Sequence, residues 1–288
     1  MKDIIIIGRG PAGLSAALYA RRAGMTTTVI GLDNGSLEKA EKIENYFGLE
    51  RPLSGRELIM VGIEQAKRLG AELITDEVTD VQWDGDFTVT AKNSVYRAQA
   101  VILTTGAPRK KLKIKGITEF EGKGVSYCAV CDAFFYRQKP VAVIGSGEYA
   151  LHEASELLHT CSSVTLFTNG SPLTASFPDT VRIIETPIAE IYGEEKVGGV
   201  RLTAGAEIPV AGVFVAIGTA AATDFARKLG VEISGNSIVV DEKMRTNVPG
   251  LFAAGDCIGG VLQVSVAVGE GAKAALSAIE FVRKKAKS

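Results

Sequence analysis

Ile4-Ile5-Ile6-Ile7-Gly8-Arg9-Gly10-Pro11-Ala12-Gly13 decides the fold. Four β-branched residues in a row read as a buried strand. The Ala-rich run Leu14 to Ala23 behind the glycines reads as a helix. Strand, glycine loop and helix in this order form the entry to a dinucleotide-binding unit, in which each glycine has its own task. Gly8 makes the tight turn, Gly10 lets a pyrophosphate approach the backbone, and Gly13 lets helix and strand pack closely. The helix N-terminus then offers its N–H groups to the phosphates. The arrangement occurs again at Val141 to Ile144, Gly145-Ser146-Gly147-Glu148-Tyr149-Ala150 and a helix to about His159. Each unit leads into another β-branched run, Thr26 to Ile30 and Ser163 to Phe167. Two βαβ units predict an α/β protein of two related Rossmann-like domains, each a three-layer ββα arrangement.

Short strands are expected between the units at Gln82-Trp83, Phe87 to Ala91 and Ala100 to Thr104. More follow at Arg182 to Glu185, Gly199 to Thr203, Val213 to Ile217 and Ser237 to Val240, with a closing helix over Gly271 to Arg283. An acidic residue about twenty positions past a glycine loop commonly holds a ribose. Asp33 has that spacing, although the strand ends near Ile30 and backbone groups are the alternative.

The 288 residues suit about two domains, and 46% hydrophobic residues suffice for large cores. A net charge of −1 argues against nucleic acid and against a basic membrane surface. The longest apolar stretch, Ala211 to Ala222, is broken by Gly212 and Gly218 and falls short of a membrane span. No signal peptide is expected at the N-terminus. With four cysteines and no disulfide framework, the expected compartment is the reducing cytoplasm.

The remaining chemistry gathers in Tyr127-Cys128-Ala129-Val130-Cys131-Asp132. A Cys-x-x-Cys pair serves either a redox disulfide or half of a zinc site. Zinc needs a second ligand pair. Cys161 and Cys257 lie far apart, and His152 and His159 are wrongly spaced for a zinc finger, so no metal is expected. A dithiol needs only its two sulfurs and a group that moves protons as a thiolate forms and is quenched. Asp132 stands beside the second sulfur for that role. A helix cap is its structural alternative.

These motifs, taken together, resemble the low-molecular-weight flavin thioredoxin reductases over nearly the whole chain. The resemblance is carried by the Gly8–Gly13 loop, Ile43-Glu44-Asn45-Tyr46-Phe47-Gly48, Thr104-Thr105-Gly106-Ala107 and Gly124 through Tyr136. Gly250-Leu251-Phe252-Ala253-Ala254-Gly255-Asp256 and the stretch Gln263 to Ala275 complete it. It implies FAD lying across Gly8, Gly10, Pro11, Ala12 and Gly13, with Asn45, Thr105, Gly106, Gly255, Asp256, Gln263 and Val264 near the flavin. Val81 would be the backbone contact of the adenine. It also implies a discontinuous FAD domain, residues 1–111 and 213–288, with a redox-disulfide domain, 112–212, inserted into it. Cys131 would face the flavin, Cys128 would attack the partner disulfide, and Asp132 would be the acid/base. The family is homodimeric and its partner is thioredoxin.

The chain departs from that pattern where NADPH should bind. Behind the strand Val164 to Phe167 stands Thr168-Asn169-Gly170-Ser171-Pro172, with no arginine for a 2′-phosphate. Tyr149 replaces a small residue, so its ring is expected to fill the pyrophosphate space. A helix is missing between Asn169 and Arg182, and Gly218 to Thr223 replaces a more polar segment. In these departures the sequence resembles the ferredoxin-dependent flavin thioredoxin reductases. The chain has too few cysteines for a cluster of its own beside the dithiol, so ferredoxin is the expected donor. NADPH reached by Arg182 or Arg201 is the alternative, and a non-catalytic flavin-binding redox sensor is the second. A ferredoxin–NADP reductase of similar build would lack the Cys-x-x-Cys.

Overall fold

The computed structural model describes residues 1–106, 112–127, 129–218 and 221–287, with nothing said of the side chains of Val130 and Cys131. The chain divides into two compact units, Met1–Arg109 with Ala221–Ser288, and Lys110–Ala220.

The first unit is built on parallel strands in the order Glu72–Ile74, Thr27–Ile30, Lys2–Ile7, Val95–Leu103 and Leu251–Ala253. Ile4 to Ile7 pair at both edges, with Thr27–Ile30 and with Ala100–Leu103, and all four side chains are buried, so both faces of this strand are covered as well. That burial explains an unbroken isoleucine run where a half-exposed strand would alternate with polar residues. Ile4 and Ile6 share a core with Ala16 and Ala20 of the helix Pro11–Arg22, Ile59 of Gly55–Arg68, and Ala274 and Ala278 of Val264–Lys285. The long strand Val95–Leu103 serves twice, since its first half pairs antiparallel with Phe87–Ala91, which pairs in turn with Val78–Trp83. The closing helix approaches the first so nearly that a Cβ on Gly271 would strike the Ala12 carbonyl, and the Ser15 hydroxyl donates to Val268 O at 2.7 Å.

The second unit repeats the plan. Its parallel sheet runs Val181–Ile184, Ser163–Phe167, Pro140–Ile144, Gly212–Val215 and Val125–Ser126. A three-stranded antiparallel sheet, Ile188–Gly193, Val197–Leu202 and Glu207–Pro209, joins the same core. The expected α/β fold of two Rossmann-like units is observed. The return into the first unit comes at Ala221, later than the expected 213, because Gly212–Val215 hydrogen-bonds to two strands of the second sheet. The helix Gly55–Arg68 was not anticipated. Among the described residues no helix stands between Ser163–Phe167 and Val181–Ile184, as expected, and none is long and apolar enough to cross a membrane.

Candidate active site

In the first unit the glycine loop behaves as its spacing demands. Gly8 has φ +117°, and a Cβ there would run into the Thr104 carbonyl. A Cβ on Gly13 would strike the Gly8 carbonyl and come within 2.7 Å of Thr104 Oγ1. Gly10 is different: it has an ordinary φ of −75°, and nothing lies within 4 Å of where its Cβ would be. The helix begins at Pro11 with no side-chain cap, which leaves its first N–H groups for a ligand. Thr104, unremarked in the sequence beyond its motif, locks the loop through hydrogen bonds from its hydroxyl to Ile7 O at 2.9 Å and Gly8 O at 3.2 Å.

Other expected residues gather in the same unit. Asn45 Nδ2 donates to Gln263 Oε1 at 3.0 Å, joining a loop to the residue before Val264, where the closing helix starts. Thr105 Oγ1 accepts from Ala222 N at 2.8 Å, and Gly106 has φ +80° with open space where a Cβ would point. Gly255, at φ +79°, turns the chain into Asp256 and holds its position by donating N–H to Glu270 Oε2 at 2.9 Å. A Cβ there would lie 3.0 Å from that of Ala12, so this turn abuts the glycine loop. Burial pushes the Glu270 carboxyl up from its ordinary value, against the pull of the Gly255 N–H. Sequence reasoning missed Glu270, although an acid between Gly269 and Gly271 in a small-residue helix is a visible signal. Val81 is buried in the strand Val78–Trp83. Asp33 is exposed, and its carboxyl accepts from Gly35 N at 2.8 Å in a local turn. Cys257 is fully buried and its thiol is pushed up to about 12 by that burial, which leaves it unreactive.

In the second unit Cys128 and the side chain of Cys131 lie outside the described residues, but the backbone around them is well held. The Ser126 hydroxyl donates to Asp132 Oδ2 at 2.6 Å. Glu153 Oε2 accepts from Ala129 N at 2.6 Å, and the Tyr149 hydroxyl donates to Tyr127 O at 3.2 Å. Asp132 makes no helix-capping hydrogen bond at the turn Ala133–Tyr136, so its cap reading gives way to a carboxyl oriented by Ser126.

The second glycine loop is built like the first, with Gly145 pressed against the Ala216 carbonyl and Ala150. Its mouth differs. Thr174 donates its N–H to Ser146 O at 2.8 Å, and a Cβ on Gly147 would meet Thr174 Oγ1 at 3.0 Å. The short segment that replaces the missing helix thus lies over the loop. Tyr149 does not fill that mouth as expected: its side chain is completely buried and reaches inward to Tyr127. Of the two fallback arginines, Arg201 is engaged by Glu190 and by Glu207 at 2.8 Å, while Arg182 is exposed.

The model of the pyridine nucleotide-disulphide oxidoreductases matches residues 2–271. The chain belongs to this family. It is 39% identical to the thioredoxin reductase of Aquifex aeolicus (strain VF5) over 99% of this chain and 94% of that one. The atypical thioredoxin reductase TRi from Desulfovibrio vulgaris Hildenborough has 42% identity and a TM-score of 0.94, covering 99% of both chains. A ferredoxin-flavin thioredoxin reductase from Clostridium acetobutylicum is less similar, with 33% identity, a TM-score of 0.75 and 98% of both chains covered. The protein is a flavoprotein disulfide reductase of the thioredoxin reductase group, and its cofactor is FAD. The first glycine loop fits that cofactor. It is closed behind by Gly8, Gly13 and Thr104, and open in front at Gly10.

Proposed function

We propose that this oxidoreductase reduces thioredoxin through the Cys128–Cys131 dithiol. The observation that carries this reading is the Cys-x-x-Cys-Asp segment with Asp132 fixed at 2.6 Å by Ser126. FAD, when bound, supplies an acceptor and donor of electron pairs. Gly8, Gly10, Pro11, Ala12 and Gly13 would hold its pyrophosphate, and Asn45, Thr105, Gly106, Gly255, Asp256, Gln263 and Val264 its flavin side. Val81 would receive the adenine. Asp132 holds or returns the proton as the neighbouring sulfur becomes thiolate or thiol. The Cys128 thiolate attacks one sulfur of the thioredoxin disulfide and the other leaves as thiolate; Cys131 then attacks Cys128 Sγ of the mixed disulfide, forming the Cys128–Cys131 bond and releasing thioredoxin as its dithiol. A cytoplasmic homodimer is the proposed working form, on the resemblance alone.

For the donor, the comparisons support NADPH over the ferredoxin expected from the sequence. The family description names pyridine nucleotides, and the more similar relatives are called thioredoxin reductases without mention of ferredoxin. One feature favours ferredoxin as a second reading: Thr174 covers the second glycine loop, and Thr168 to Pro172 supply no cation for a 2′-phosphate. Such a donor has driving force enough, from about −400 mV in plant-type ferredoxins to about −270 mV in thioredoxin.

Anaerobic mixing with stoichiometric NADPH, followed by flavin absorbance, separates the donors. Bleaching within a turnover establishes NADPH and removes ferredoxin. An unbleached flavin that dithionite-reduced ferredoxin bleaches establishes the reverse. With either donor, Cys128→Ser and Cys131→Ser should retain FAD and lose thioredoxin reduction. Turnover surviving in either variant would refute the dithiol route.

A further inference from the structure

The first glycine loop carries a cation that the dithiol route leaves without a task. Arg9 stands between Gly8 and Gly10 and is half-buried. Its stem crosses Gly31, the residue directly after the strand Thr27–Ile30. A Cβ on Gly31 would come within 2.9 Å of Arg9 Cγ and 3.3 Å of Arg9 N. Gly31 has no left-handed φ, so it is small here to admit Arg9 and not to make a turn. Beyond Gly31 the guanidinium is clamped at two corners. Nη1 donates to Thr75 Oγ1 at 2.6 Å, and Nε donates to Asp33 O at 3.4 Å. Thr75 follows the strand Glu72–Ile74, which pairs parallel with Thr27–Ile30. The positive charge is thus fixed at the carboxyl ends of two neighbouring strands.

That is where a dinucleotide-binding unit reads the ribose of its ligand. The phosphates lie at the glycine loop. The ribose meets a side chain at the end of the second strand, a carboxylate for a free 2′-hydroxyl or an arginine for a 2′-phosphate. FAD carries a free 2′-hydroxyl on its adenosine, yet here the loop itself supplies an arginine. The clamp uses two of the five guanidinium N–H groups. Nη2 has no partner among the described residues, and no carboxylate there forms an ion pair with Arg9. A planar fork already held in place has little freedom left to lose when its remaining N–H groups meet a ligand. A hydroxyl oxygen accepts a charge-assisted bond from such a donor.

We propose that Arg9 is the specificity-determining residue at the adenosine end of the FAD site, donating to the ribose 2′-hydroxyl in the role that an acidic residue usually fills. The proposal rests on FAD occupying the first glycine loop. Its test uses the full-length apoprotein, with ADP and 2′-deoxy-ADP displacing FAD in a flavin-fluorescence competition. The wild type should hold ADP about tenfold more tightly than 2′-deoxy-ADP, the effect of one hydrogen bond to a charged group. Arg9→Met keeps an apolar stem across Gly31 and removes every donor. The two nucleotides should then bind alike, whatever uniform loss the missing charge brings. A wild type that does not distinguish them overturns the proposal. So does a tenfold ratio that survives in Arg9→Met, because the charge would then act on the phosphates alone.

Asp33→Asn gives the carboxylate its own trial and should keep the ratio. A ratio lost there and kept in Arg9→Met returns the ribose to the acidic residue. Should Arg9→Met fail to accumulate as folded protein, Thr75→Val changes an exposed position and releases Nη1. It should cut the ratio about threefold, and an unchanged ratio overturns the proposal equally. Failure of the underlying reading looks different. ADP that leaves FAD bound at every concentration means that the cofactor does not occupy the first loop. ADP that displaces FAD, with the ratio indifferent to Arg9, removes only the role of Arg9.

Discussion

Gly10 and Gly13 are three residues apart and equally small, yet they are small for different reasons. At Gly13 a Cβ would collide with the Gly8 carbonyl and with Thr104. At Gly10 it would enter open space with an ordinary φ. Gly13→Ala should therefore damage the protein itself, at about 1–3 kcal/mol for forced overpacking, and weaken FAD binding with it. Gly10→Ala should leave the melting temperature of the apoprotein unchanged and weaken FAD alone, since its methyl stands where pyrophosphate must come. Thermal melts of both apoproteins beside flavin-fluorescence titrations check this. Equal melting losses in the two variants would sink the distinction. Both glycines were legible from spacing, because spacing encodes their geometry. Glu153 was not, because its partner is a backbone N–H 24 positions away, and no local pattern signals that. The bond from Gly35 N to the Asp33 carboxyl, by contrast, spans only two residues, the local turn that an Asp followed two positions on by Gly signals.

The strands and helices of the two βαβ units could be read because a fully buried parallel strand leaves an unbroken apolar run. The helix Gly55–Arg68 escaped although it carries a start signal, Ser54 with Glu57 three residues on. Its larger buried side chains, Ile59, Ile63 and Ala66, stand at helical spacing. The capping box is formed in full: Ser54 N donates to Glu57 Oε2 at 2.8 Å, and Glu57 N donates to Ser54 Oγ at 3.2 Å. The Ser54 N–H, its hydroxyl and Arg51 bring the Glu57 carboxyl down from 4.5 to about 2. A depressed folded value means that the ionised form favours the native state. This contribution is complete above pH 4.5 and is lost as pH falls toward about 2. Glu57→Gln should melt lower than wild type at pH 7, and the gap should narrow steadily below pH 4.5. A gap that stays constant down to pH 3 would refute the capping role.

At the scale of the molecule, the chain builds its first unit from two separated pieces and threads the second between them. Each unit has its own hydrophobic core, one around Ile4, Ala16 and Ala274, the other around Ile144, Val200 and Val213. The residues proposed to hold FAD all belong to the first, so free flavin should stabilise only that core. At a thousandfold excess over its dissociation constant a ligand adds about 4 kcal/mol, which for a unit of this size is on the order of 10 °C. The single tryptophan, Trp83, lies in the first unit and reports its unfolding alone. The fluorescence midpoint should therefore climb with added FAD, while calorimetry shows a second transition that stays where it was. A calorimetric trace that moves as one peak with the tryptophan signal would mean that the two cores melt together. Closure of the first unit comes late in the chain, with Leu251–Ala253 and the closing helix. The FAD-dependent transition is thus the one that must vanish when the chain is cut before Leu251, because the Ile4–Ile7 sheet then loses its last strand and Ala12 loses the helix that covers it.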